Sequence, residues 1–144
     1  MAAGLLALPA AAAAQTITFS ITQSSISFSD ADPDTTPSIT APTVTVNYQV
    51  TGNKNGNWLI TVISGNDLLS GSTAIPITNV TWTATPAPPF QPGTMSKTIQ
   101  QTVAAGAGNV STTRTGTVVF SLANSWSYNV GTYSATFTFT MTAP

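Results

Sequence analysis

The sequence predicts an all-β fold of two antiparallel sheets packed face to face, and three observations carry that expectation. Apolar residues recur at every second position in several short runs, the pattern of a strand with one buried and one wet face. The runs are separated by Gly-, Pro-, Asn- and Asp-rich punctuation, with 10 Gly and 10 Pro in 144 residues. No window sustains a period of 3.6, so helix content should be close to nil.

Taken in order, Gln15 to Ser29 alternates twice. Ile17, Phe19 and Ile21 share one face, the phase slips at Gln23-Ser24-Ser25, and Ile26 and Phe28 carry the pattern on. A one-residue slip turns the apolar set to the opposite face, so this segment reads as two short strands or as one that changes partner midway. Residues 30–42, with prolines at 33, 37 and 42, read as an extended connector. Thr43 to Thr51 places Val44, Val46, Tyr48 and Val50 inward. Residues 52–56 are a turn, and Trp58 to Ser64 reads as the return arm of a hairpin. Trp58, Ile60 and Val62 occupy one face of that arm and Leu59 and Ile63 the other, as in a central strand. Leu68-Leu69 is a short apolar patch, and Ile75 to Ala84 holds one or two strands around Trp82. Pro86 to Pro92 forbids a central strand. Thr98 to Ala104 is a weaker strand, residues 106–109 a loop, and Thr115 to Leu122 a strand with Val118, Phe120 and Leu122 aligned.

The last run is the most regular. Tyr133, Ala135, Phe137, Phe139 and Met141 alternate with Ser134 and the threonines at 136, 138, 140 and 142, giving a core strand that follows the Gly131 turn. Seven to nine strands at such spacing make an immunoglobulin-like sandwich the expected architecture. In that fold a tyrosine near the start of the penultimate strand anchors a corner, and Tyr133 is placed to do so. Residues 131–142 would then be the penultimate strand, with no closing strand after it. The expected organisation is a secretory-signal remnant at residues 1–14 (MAAGLLALPAAAAA, too short to span a bilayer), an N-terminal strand segment at 15–29, the connector at 30–42 and the sandwich at 43–144.

Composition narrows the function classes. Charged residues are 5% of the chain, against about 25% in average soluble proteins. The surface is therefore wetted by hydroxyls and amides, and weak charge repulsion tolerates self-association. A net charge of −1 offers no basic footprint for nucleic acid. His, Cys and Glu are absent, so no Ser-His-Asp or Cys-His constellation and no zinc site can be built, and neither an enzyme nor a cofactor is expected. Asp30, Asp32 and Asp34 lie on one side of an extended chain. Oxygen clusters of this kind can hold Ca²⁺, although Pro33 and the missing Gly and distal Glu depart from the EF-hand pattern, and a solvated acidic connector is the plainer reading. Three tryptophans could stack on sugars; burial is the commoner fate in a sandwich and Trp58, beside Ile60, reads as core, whereas Trp126, with Tyr128 close by, has polar neighbours that suit sugar stacking. Asn79-Val80-Thr81 and Asn109-Val110-Ser111 are N-glycosylation sequons.

An ending ATFTFTMTAP after a Gly-Thr-Tyr turn, with the alternating N-terminal arm ITFSI, resembles pilin subunits of the chaperone–usher type and the spore-coat-U-like pilus proteins. The chain lacks their Cys pair and has Ala143 at the penultimate position, where they carry Tyr. The resemblance implies an incomplete sandwich closed by a neighbour's N-terminal extension. Here Ile17, Phe19 and Ile21 would be the donor strand, and Tyr133, Ala135, Phe137, Phe139 and Met141 the acceptor. The expectation is a secreted subunit of an extracellular filament, a homopolymer without a membrane span in the mature chain. The alternative is a self-contained secreted module that binds glycans or surfaces, with the same strand kept in cis.

Overall fold

The computed structural model describes residues 14–143. Apart from Ala14, the leader-like run of residues 1–14 lies outside them, as does residue 144. The molecule is an immunoglobulin-like sandwich of two antiparallel sheets. The first sheet runs, edge to edge, through β1 (Thr16–Ile21), β4 (Val44–Thr51), β11 (Val110–Ala123), β8 (Val80–Thr85) and β9 (Gly93–Thr94), with β3 (Ser38–Thr40) paired to the end of β11. The second runs through β10 (Gln101–Ala107), β5 (Asn57–Ser64), β12 (Tyr133–Thr142), β6 (Leu68–Ser70) and β7 (Thr73–Ile75), with β2 (Ser25–Phe28) also paired to β12. Among the described residues the only helical turn is a 3₁₀ turn at Ile77–Asn79, and no helix is long and apolar enough to cross a membrane.

The phase slip at Gln23-Ser24-Ser25 is where the chain changes sheet. β1 pairs with β4 in the first sheet, and β2 pairs with β12 in the second. The inversion of the apolar face is therefore required: each half must point its side chains into the core from opposite sides. Thr22 fixes the crossing, its N–H donating to the Thr45 carbonyl at 3.1 Å and its hydroxyl accepting from the Thr45 N–H at 3.0 Å.

The hairpin expected between Thr43 and Ser64 does not form. β4 pairs with β1 and β11, whereas β5 pairs with β10 and β12, so residues 52–56 arch from one sheet to the other. Tyr48 and Trp58 meet across the sandwich with ring centroids 5.1 Å apart. The arch is held from within by Asn53, 4% exposed, whose N–H donates to Asn109 Oδ1 at 2.7 Å and whose Nδ2 donates to the Gly56 carbonyl at 3.1 Å. β5 is central in its sheet, as its two apolar faces require.

The core follows the alternation closely, with Val44, Val46, Tyr48 and Val50 opposing Trp58, Ile60 and Val62, and Phe120 opposing Phe137 at 5.4 Å. Three features go beyond the alternation. β10 ends at Ala107, so Gly106 lies in a strand rather than a loop. There a Cβ would stand 2.3 Å from the Trp58 ring, so the glycine lets the indole lie flat on the strand. Phe90, inside the proline-rich stretch, is buried against Tyr48 at 5.9 Å and covers Gly116. The connector 30–42 is not wholly extended linker, because β3 within it pairs with β11.

Candidate functional site

β12 is the strand on which the candidate site is built. On one side β5 pairs with it along Phe137–Thr142, and β6 touches it at Ser134. On the other side β2 pairs only with Tyr133–Thr136, and the Phe137 N–H donates to the Ser24 carbonyl at 2.9 Å. Backbone groups of alternate residues point the same way along an antiparallel strand. The N–H and C=O groups of Phe139 and Met141 therefore face this second side, where no strand pairs with Thr138–Thr142 among the described residues. The half-edge is unpaired backbone beside apolar side chains, the combination that captures an added strand.

Tyr133, expected to anchor a corner, does so at the start of the strand. The Tyr133 hydroxyl donates to the Asn129 carbonyl at 3.0 Å, four residues upstream, and lies 3.2 Å from Thr73 Oγ1. Tyr133, Ala135, Phe137 and Phe139 are buried and Met141 is half-buried.

Facing this half-edge across the gap between the sheets is β1, itself the edge of the first sheet. Ile17, Phe19 and Ile21 sit opposite Val50, Tyr48 and Val46 in register. Their cover is incomplete: Phe19 and Ile21 are half-buried, and Ile17 is 39% exposed. The expected donor residues thus share a seam with Phe139 and Met141 of the expected acceptor, whereas Tyr133 and Ala135 lie in the half of β12 that β2 pairs. β1 and β12 belong to different sheets and make no pairing with each other.

At the other end of the sandwich the connector and the loop of residues 124–131 enclose a cavity of about 270 Å³. Asp30, Asp32, Trp126 and Tyr128 line it. The three connector carboxylates do not converge on a metal-sized site. Asp32 Oδ1 accepts from the Asp34 N–H at 2.9 Å, Asp34 Oδ1 accepts from Trp126 Nε1 at 3.2 Å, and no metal-holding group of acidic residues occurs among the described residues. Trp58 and Trp82 are core, whereas Trp126 is 70% exposed. Both sequon asparagines are exposed and hydrogen-bonded, Asn79 Nδ2 to the Tyr128 hydroxyl at 3.1 Å and Asn109 Oδ1 from the Asn53 N–H.

One contact invisible in the sequence pattern is Asn124. Its Nδ2 donates to the Ala31 carbonyl at 2.9 Å and the Thr36 carbonyl at 3.0 Å, fastening the loop to the connector. A lone asparagine has no periodicity to reveal such a role. The ion pair among the described residues, Lys97 with Asp67, lies away from both places. The Lys97 hydrogen bond, then that from the Ile77 N–H, holds the Asp67 carboxyl below its ordinary value.

No protein-family model matches the chain, and none of the curated proteins or solved structures does so either.

Proposed function

We propose that the protein is the structural subunit of a secreted filament, in which β1 of one copy leaves its own β4 and seats along the open half-edge of β12 in the next. The observation that carries this reading is that half-edge, with unpaired backbone at Phe139 and Met141 beside a donor strand that is only partly covered where it lies. Leaving its seat would also vacate the edge of β4, so the incoming strand finds hydrogen-bonding groups on either wall of the gap. Burying Ile17, Phe19 and Ile21 more completely contributes up to about 1.5–3 kcal/mol for each fully buried side chain. The crossing at Thr22 is the natural hinge, because β2 beyond it stays paired with β12. Head-to-tail donation of this kind does not close on itself and yields a fibre. A 5% charged composition and a chain without Cys fit a subunit whose stability comes from assembly.

The test is to purify the mature protein and follow its assembly by size-exclusion chromatography and negative-stain imaging. Deletion of residues 15–22 should leave subunits that do not polymerise, and excess peptide of that sequence should cap them as stable monomers. A second reading rests on the unbroken six-residue register of β1 on β4 within one chain, that of a self-contained secreted binding module. Intact protein that stays monomeric, with the β1 amides protected from hydrogen exchange, would establish that module and overturn the filament.

A further inference from the structure

We infer that the cavity at the end of the sandwich remote from the β1–β12 seam is a binding site for the neutral pyranose ring of a glycan, with Trp126 as its stacking platform. A tryptophan 70% exposed stands out in a chain whose other two tryptophans are 5% and 2% exposed. Its indole N–H is already spent on Asp34 Oδ1 at 3.2 Å, so what the ring offers a ligand is its flat face. That face suits the apolar C–H side of a sugar ring.

The platform is held before any ligand arrives. Ser125 and Ser127 hydroxyls lie 2.8 Å apart, the Ser127 N–H donates to Ser125 Oγ at 3.2 Å and the Tyr128 N–H to the Ser125 carbonyl at 3.1 Å, closing a tight turn around Trp126. Asn124 then staples this turn to the connector through Ala31 and Thr36, and its own N–H donates to the Pro37 carbonyl at 2.9 Å. A site ordered in advance loses little entropy on binding.

Polar groups converge on the same hollow. Asp30 and Asp32 line it, no hydrogen bond or ion pair engages the Asp30 carboxylate among the described residues, and one Asp32 oxygen is left over from its turn. Carboxylates beside an aromatic face accept hydrogen bonds from vicinal sugar hydroxyls while the ring stacks. The cationic side chains lie elsewhere: Lys97 is paired with Asp67, Lys54 is in the β4–β5 arch and Arg114 is on β11 opposite Tyr48. Uncompensated negative charge disfavours sialic and uronic acids and admits neutral sugars. A volume of about 270 Å³, just below the range of about 300–1,000 Å³ usual for ligand pockets, suits one ring rather than an oligosaccharide chain.

The inference is independent of the filament reading, because it uses none of the residues of the β1–β12 seam. Its test titrates the full chain with glucose-, galactose-, mannose-, N-acetylglucosamine- and sialic-acid-terminated oligosaccharides, read by tryptophan fluorescence and calorimetry. Trp126 is the solvent-exposed emitter, so a saturable blue shift with one of the four uncharged probes, and none with the sialylated one, is expected. Trp126→Ala should weaken that binding by about tenfold or more, the scale of losing one stacked ring, and Trp126→Phe should restore part of it. Asp32→Asn, which keeps the shape of the side chain, should weaken it with an unchanged melting temperature. No saturable response to any uncharged probe, preference for the sialylated one, or undiminished binding by Trp126→Ala would overturn the inference.

Discussion

Gly106 shows how far one residue reaches in this molecule. The Trp58 ring lies so close to its Cα that a methyl group would overlap it, at 2.3 Å from Cζ2. The same relation holds between Gly116 and Phe90, whose ring would meet a Cβ at 2.1 Å. A glycine that interrupts an alternating run is thus a recess for a ring from elsewhere, and its sequence signature is the interruption alone. Gly106→Ala should destabilise the protein by about 1–3 kcal/mol, measured by urea denaturation, because the ring must shift within a filled core. Adding Trp58→Phe should make the two effects non-additive, the smaller ring relieving the overlap. Strictly additive losses would show that the glycine matters for another reason.

At the scale of elements, β12 carries the packing of the second sheet. Phe137, 4% exposed, touches Phe120 across the sandwich and Phe139 on its own strand, each with ring centroids 5.4 Å apart. Phe137→Ala should cost about 3–5 kcal/mol, much of a stability of about 5–15 kcal/mol, whereas Thr138→Ala on the wet face should stay within about 0.5 kcal/mol. Equal losses at both positions in thermal melts would mean that the alternation does not set burial. Every strand expected in the sequence is present, because a period of two is a local property that burial reads directly. The pairing of β4 with β5 was not legible in the same way. A Gly-Asn-Lys-Asn-Gly turn suits a hairpin and an arch alike, and the choice lies with Tyr48 and Trp58, whose apolar faces oppose each other rather than lying side by side.

The whole molecule has few ionic means of stabilisation, and its pH dependence should show this. The Asp67 carboxyl is held below its ordinary value by Lys97 and the Ile77 N–H. Its contribution is present above the unfolded value of about 3.9 and is lost as pH falls through the lower folded value. Burial pushes the Tyr48 hydroxyl up, with the Arg114 charge partly opposing it. That contribution is present below about pH 10 and is lost as pH rises through the raised folded value. No histidine titrates between these limits. Thermal melts should give a plateau between them, with Asp67→Asn removing part of the acid fall and Tyr48→Phe part of the alkaline one. An Asp67→Asn profile identical to that of the parent below pH 5 would show that the contact with Lys97 contributes nothing.

The sequence by itself determined the fold class, the inward face of nearly every strand and the position of the sheet change at Gln23-Ser24-Ser25, because each follows from hydrophobic periodicity over a few residues. It also marked Trp126 as unlike the other tryptophans through its polar neighbours. Tertiary structure alone decided which strands pair, that the second half of β12 has an edge opposite β1 left unpaired among the described residues, and that the acidic connector meets the Trp126 loop around one cavity. These depend on contacts between segments far apart in the chain, 93 residues in the case of Asn124 with Ala31, and no local pattern encodes the partner. Alternation tells a strand which face to bury, but only closure of the sandwich around the whole core tells it what to lie beside.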